Sequence, residues 1–193
     1  AVFFSSMAAY AFSRLHWKHR DKVFGLFLAT VLVPPIFTAL PNFLLVKNLG
    51  LLGTMFGLIL PYVFMTPFAI FFMRQFFLNM NREVEEAAML DGASQWRIFI
   101  QVVLPNAAAP LATLALLTFM GQWNEYFWPL LVSDEGTRVL TVGLGTFKSQ
   151  SPQGAPDWSG LMAAVLVSAV PILILFAAFG KKIVNSIGFS GVK

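Results

Sequence analysis

Four long stretches of this chain carry no charged side chain: 23–46, 48–73, 98–124 and 158–180. No other feature constrains the fold as tightly. A hydrocarbon layer about 30 Å thick is crossed by roughly 20 apolar residues in a helix. Inside lipid a helix satisfies its own backbone. Each stretch is therefore long enough for one spanning helix, and none shows the period-2 alternation of a membrane barrel strand. Composition agrees: 58% of residues are hydrophobic and 11% charged, against about 25% charged in a soluble domain. The 21 Phe, 8 Met and 5 Trp exceed what one core of this size buries. A soluble globular enzyme and a disordered tail are excluded. So is a nucleic-acid module, because the basic residues behind the net charge of +4 punctuate apolar runs and form no stripe. Without cysteine there is no disulfide, thiol nucleophile or cysteine-bound zinc. The expected fold is all-α, a polytopic transmembrane helix bundle with the lipid bilayer as its solvent.

The first uncharged run, 1–13, rises only about 20 Å as a helix and is too short to cross. It reads as the end of a span that begins ahead of Ala1. That makes the chain N-terminally truncated, with about four full spans plus one partial; a short re-entrant segment is the alternative. Alternating from a cytoplasmic segment after this run puts Arg14, Lys18, Arg20, Lys22, Arg74, Arg82, Arg97, Lys181, Lys182 and Lys193 inside. Lys47, Arg138 and Lys148 fall outside. This bias fixes the orientation, with a cytoplasmic C-terminus. Pro34, Pro35, Pro41, Pro61, Pro67 and Pro171 predict kinked or broken spans, and Gly53 and Gly57 admit a close neighbouring backbone.

The segment 74–105 is expected to be a cytoplasmic loop. It holds four of the nine acidic residues, Glu83, Glu85, Glu86 and Asp91. Residues 82–91 read as a short helix with acids at its positive N-terminus, stopped by Gly92. Ser94 caps a second short helix whose end is set near Pro105. On a helical wheel Val84, Ala87 and Ala88 share one face, and Glu85 and Glu86 point to different sides. This face suits a docking partner whose Arg or Lys would meet the flanking carboxylates; a solvated connecting loop is the competing reading.

The stretch "EEAAMLDGASQWRIFIQVVLP" resembles the EAA loop of importer-type ABC permeases, with Glu86, Ala87, Ala88, Gly92, Leu104 and Pro105 at the motif positions, Asp91 beside the glycine, and Val102 where the family usually has Ile. "AAYAFSRL", "PYVFMTPFAIFFMRQFF" and "GQWNEYFWPLL" are similar to the carbohydrate branch, in particular to the second permease subunit of maltose-type systems. The resemblance covers essentially the whole chain, one permease domain (1–193) of ABC type I importer-like fold. It implies a multi-pass subunit in the bacterial inner or plasma membrane and a second, related permease subunit as partner. It further implies two copies of a cytoplasmic ATPase, an external solute-binding protein and a sugar as substrate. The EAA loop then acts as a coupling helix docked on the ATPase, through Glu86, Ala87, Ala88, Asp91, Gly92, Leu104 and Pro105.

Glu125, in the apolar "GQWNEYFWPLL", is the one ionisable residue within an apparent span. It lies about 25 Å along a helix begun near Ala108, towards the outer side. Trp123, Asn124 and Glu125, with Tyr126 and Trp128, suit contact with a sugar; an interfacial aromatic belt is the alternative. The outer segment 133–157 is either the contact for a delivery protein or a plain loop, and Asp157 is expected to cap the last helix. His16 and His19, beside Lys18 and Arg20, suit a basic membrane-surface segment better than a metal pair. No G-x-x-x-x-G-K-[ST] loop is present. Neither ATP binding, catalysis nor a cofactor is expected of this chain. Two further readings stay open: a non-sugar cargo (amino acid, peptide or phosphonate), and an ion-driven secondary transporter, which would need polar groups near mid-membrane.

Overall fold

The computed structural model describes residues 1–146 and 157–188. Among these the chain forms α1 (Val2–Arg14), α2 (Arg20–Val31), α3 (Pro35–Asn48), α4 (Met55–Val63), α5 (Pro67–Asn79), α6 (Glu83–Leu90) and α7 (Gln95–Ile98). A π-helical segment, Phe99–Val103, follows. Then come α8 (Leu104–Asn106), α9 (Ala108–Trp123), α10 (Phe127–Val132), α11 (Leu140–Thr146) and α12 (Trp158–Gly188). No strand occurs among the described residues.

The apolar runs become helices, with breaks where proline and turn residues dictate. Met55–Asn79 and Trp158–Phe179 are each long and apolar enough to cross a membrane. The pairs α2 with α3 and α7–α8 with α9 pass the same test only when each is taken as one broken span. Two prolines, Pro34 and Pro35, stand at the first break, and Pro35 opens α3 with its fixed φ. Thr66 caps α5 through a bond from the Ala69 N–H (3.3 Å), with Pro67 in the first turn. None of the most apolar window of α12 is buried within the chain. A helix apolar all round and unburied belongs in lipid or against another subunit.

One correction follows. Arg74 does not mark the start of the loop: α5 continues past it to Asn79. The guanidinium is provided for inside the helix pack. Its Nε donates to Phe12 O (3.1 Å), its Nη2 reaches Asp21 Oδ1 (3.4 Å), and its plane lies 4.1 Å from the Phe24 ring centroid. A cation with such partners need not sit at a helix end. The second short helix ends near Pro105, as expected, at Asn106. The backbone widens to a π-turn over Phe99–Val103, where the Leu104 N–H bonds Phe99 O, and runs on to Asn106. Proline has no N–H and crowds the carbonyl four residues back, so a wider turn accommodates it where an α turn would clash.

The chain forms two compact units. The first comprises Ala1–Pro34, Tyr62–Thr118 and the stretch from Lys181. Its core is α1 laid along α5, with Ala9, Tyr10, Phe12, Ala69, Ile70, Met73 and Phe77 buried against Ile98, Phe99 and Val103. The second comprises Pro35–Pro61 and Phe119–Gly180. Here Gly53 and Gly57 admit close backbone, as their spacing predicts. Gly53, at φ +70°, donates its N–H to Val132 O (2.8 Å), and Gly57 O accepts from Trp128 Nε1 (3.1 Å). A Cβ on Gly57 would run into Leu51 O.

Candidate functional site

The short helix α6 forms where the sequence reading puts it. Asn81 Oδ1 accepts from the Glu83 N–H (3.1 Å), and three glutamates occupy the first turn. At the far end Gly92, at φ +79°, closes a Schellman turn: its N–H bonds Met89 O and the Ala93 N–H bonds Ala88 O, both at 3.0 Å. Ala88 and Ala93, the residues such a turn brings together, both pack on the core of the first unit. Ser94 Oγ then caps α7 by accepting from the Arg97 N–H (3.3 Å).

Burial divides α6 into two sides. Glu85 is 5% exposed and Ala88 half-buried, whereas Glu83, Val84, Glu86, Ala87, Leu90 and Asp91 are exposed. Ala88 therefore does not share the free face with Ala87; it turns inward one turn after Glu85. The two neighbouring glutamates do point apart, as predicted. Glu86 is free, while Glu85 is spoken for within the chain. Its Oε1 lies 2.8 Å from Arg14 Nη2 and accepts from Arg14 Nε at 2.9 Å. The same Nη2 donates to Met80 O, just past the end of α5 (2.9 Å). One turn earlier on α1, Tyr10 Oη donates to Gln95 Oε1 at the start of α7 (2.9 Å). Arg14 Nη1 has no partner among the described residues. A cavity of about 320 Å³ is lined by Tyr10, Arg14, His16, Arg82, Glu86 and Gln95 among others. Leu104 and Pro105 sit beyond the π-turn, a separate stretch of helix from α6.

Sequence reasoning missed this anchorage. Arg14 ends an apolar helix, where a cation reads as a membrane boundary, and its carboxylate lies 71 residues away. The one available signal was the pair of adjacent glutamates, which a helix must send in different directions.

In the second unit Trp123, Asn124 and Glu125 come at the end of α9 and in the break before α10. Glu125 is thus not inside a continuous helix, as its apolar setting suggested. It caps one: Glu125 Oε1 accepts from the Trp128 N–H (3.1 Å), and Thr141 Oγ1 bonds its carbonyl (2.7 Å). Trp123 Nε1 donates to Ser168 O (3.1 Å) and stacks on Phe119; the Asn124 amide turns back to Met120 O (2.8 Å). Trp128 is buried and committed to Gly57 O, so its ring is not free to stack on a solute. A cavity of about 210 Å³ is lined by Gln122, Trp123, Glu125, Pro129, Leu140 and Thr141, with Val139. The segment 133–157 is not a plain loop throughout, since it contains α11; residues 147–156, with Lys148, lie outside the described residues, as does Lys193. Before α11, Asp134 Oδ1 accepts from the Thr137 hydroxyl (2.9 Å) and from the N–H groups of Gly136 and Thr137 (both 3.0 Å). The Thr137 hydroxyl bond, followed by these backbone bonds, holds the Asp134 carboxyl below the usual range. Asp157 caps α12 as expected, through the Gly160 N–H (2.9 Å).

Apolar helices left unburied, broken by prolines and joined by a capped surface helix that one neighbour grips, define a membrane-embedded, all-helical subunit. Residues 1–187 match the family described as "Binding-protein-dependent transport system inner membrane component". The chain is 37% identical over 184 residues to the diacetylchitobiose uptake system permease protein NgcG of Streptomyces coelicolor, covering 94% of this chain and 61% of that protein. It is 33% identical over 193 residues to the arabinooligosaccharides transport system permease protein AraQ of Halalkalibacterium halodurans, covering 100% of this chain and 68% of that one. A solved bacterial ABC transporter involved in import of the acidic polysaccharide alginate matches with a TM-score of 0.73 and 28% identity, over 93% of this chain and 67% of that chain. The chain belongs to the binding-protein-dependent transport system inner membrane component family. It spans about three fifths to two thirds of the length of the curated relatives it matches.

Proposed function

We propose that this chain is the membrane-spanning permease subunit of an ATP-driven, binding-protein-dependent sugar importer, with α6 as its coupling helix. It pairs with a second, related permease above two copies of a cytoplasmic ATPase, and an external solute-binding protein delivers the sugar. The chain hydrolyses nothing itself; ATP is cleaved by the partners. The observation that carries this reading is the two-sidedness of α6. Val84, Glu86, Ala87 and Leu90 are exposed while Glu85 and Ala88 are held by the first unit. Small side chains let a partner approach closely, and Glu86 and Asp91 offer carboxylates to basic residues on it. Gly92 fixes the exit of α6, and Leu104 and Pro105 set the start of the following helix relative to it.

Sugar as cargo is supported by the saccharides for which both curated relatives are named. The Lys and Arg distribution supports a cytoplasmic α6 and C-terminus. The segment 133–157 faces outward as the contact for the solute-binding protein. Trp123, Asn124 and Glu125 line the solute path, where Glu125 keeps a second carboxylate oxygen beyond the one that caps α10.

The test uses the full-length protein with its partners. Glu86→Lys, and separately a bulky Ala87→Trp, should abolish ATPase co-purification and ATP-dependent uptake while membrane insertion stays normal. Retained co-purification and uptake in both variants would overturn the coupling-helix assignment.

A further inference from the structure

Resting on that reading, we infer that Arg14 is a positioning residue that carries displacement of α6 into the transmembrane bundle. Three successive elements around the loop are fastened to one face of α1. Met80 O, at the end of α5, and Glu85, in α6, bond the same Arg14 side chain, and Gln95, opening α7, bonds Tyr10. Tyr10 and Arg14 are four residues apart, so they lie one above the other on α1. The bonds to Met80 O and to α6 are charge-assisted, and both side chains of the ion pair are about 5% exposed. Such bonds are short and directional. Glu85 is the immediate neighbour of Glu86 on the free face, so a load applied there meets the guanidinium within one residue. Behind Arg14, α1 is packed along α5 and fixed by the bond from Arg74 Nε to Phe12 O. A shift of α6 therefore either moves α1 or breaks buried charged bonds. Without the clamp, α6 would be held only by its connecting turns and the packing of Ala88 and Ala93, and would yield to the ATPase with less movement of the spans.

The experiment reconstitutes the full-length subunit with its partners in proteoliposomes. It reads ATPase co-purification, ATP hydrolysis with and without solute-loaded binding protein, and uptake per ATP. Three variants are compared. Arg14→Gln with Glu85→Gln keeps a neutral hydrogen-bonding pair, Arg14→Glu with Glu85→Arg exchanges the charges, and Tyr10→Phe removes one hydroxyl. The neutral pair should keep the ATPase bound and hydrolysing. Its uptake per ATP should fall about tenfold, within the range a coupling free energy spans. The exchanged pair should regain part of that loss, and Tyr10→Phe should show a smaller one. Wild-type uptake per ATP in the neutral pair would overturn the inference. If that variant does not assemble, unchanged uptake per ATP in Tyr10→Phe overturns it instead. Failure of the coupling-helix reading shows elsewhere, as ATPase co-purification that survives Glu86→Lys.

Discussion

Glu85 and Glu86 are chemically identical neighbours whose replacement by alanine should differ by several kcal/mol. Glu85→Ala leaves Arg14 buried with its hydrogen bond and ion-pair contact to Glu85 lost and only Met80 O remaining. Removing one partner of a buried pair costs about 3–5 kcal/mol, because the remaining charge stays desolvated. Glu86 is exposed and its side chain has no hydrogen bond or ion pair among the described residues, and such surface changes stay within about 0.5 kcal/mol. For 150–250 residues each kcal/mol moves the midpoint by roughly 2–4 °C, so Glu85→Ala should lower Tm by about 6–20 °C and Glu86→Ala by no more than about 2 °C. Thermal unfolding of the purified full-length protein in detergent, followed by intrinsic tryptophan fluorescence, measures both. A double variant, Arg14→Met with Glu85→Leu, should recover most of the loss, since an apolar pair of similar volume carries no unpaired charge. Equal midpoints for the two single variants would refute the reasoning, as would a double variant no better than Glu85→Ala.

Gly92→Ala should loosen the end of α6 by about 1–2 kcal/mol, the cost of a left-handed conformation for a residue with a Cβ. Gly92→Pro, which also removes the N–H that bonds Met89 O, should abolish uptake; hydrogen exchange at residues 88–93 reads the first and transport assays the second. Trp128→Phe removes the bond to Gly57 O and should destabilise by about 1–3 kcal/mol, since a buried carbonyl loses its donor; the thermal midpoint checks it. The turn 134–137 should be pH-dependent. Because the folded Asp134 carboxyl titrates below its usual value, its contribution is present above the ordinary aspartate range and is lost as pH falls through the lowered folded value. Protection of the Gly136 and Thr137 amides, taken relative to the intrinsic exchange rate at each pH, should fall on acidification, and Asp134→Ala should abolish that dependence.

What the sequence disclosed was local. The acids ahead of Ala87, the glycine stop at Gly92, the Ser94 cap and the Asp157 cap each involve residues within a few positions of one another, so spacing alone specifies them. Apolar length likewise located the two helices long enough to cross, Met55–Asn79 and Trp158–Phe179, and the two bent pairs that pass only as broken spans, because it measures the solvent a helix needs. What stayed hidden depends on partners far along the chain. Arg74 looked like a boundary because its acceptors, Phe12 O, Asp21 and the Phe24 ring, belong to α1 and α2. The π-turn ahead of Pro105 has no signal in residue spacing: its residues Phe99 and Val103 are buried against elements far along the chain. Glu125 looked like a lone acid in a span because its partners, the Trp128 N–H and the Thr141 hydroxyl, reach it only where the helix breaks ahead of α10.

Successive side chains on an α-helix are about 100° apart, and α6 has only eight residues in which to use that angle. Losing or gaining a single residue between Asn81 and Glu85 would leave the composition almost untouched yet exchange pin for handle. One carboxylate would swing into water while the arginine faced a side chain never meant to meet it. Length in this stretch should therefore be guarded more strictly than letter, and indels there should be far less tolerated than substitutions of the outward residues.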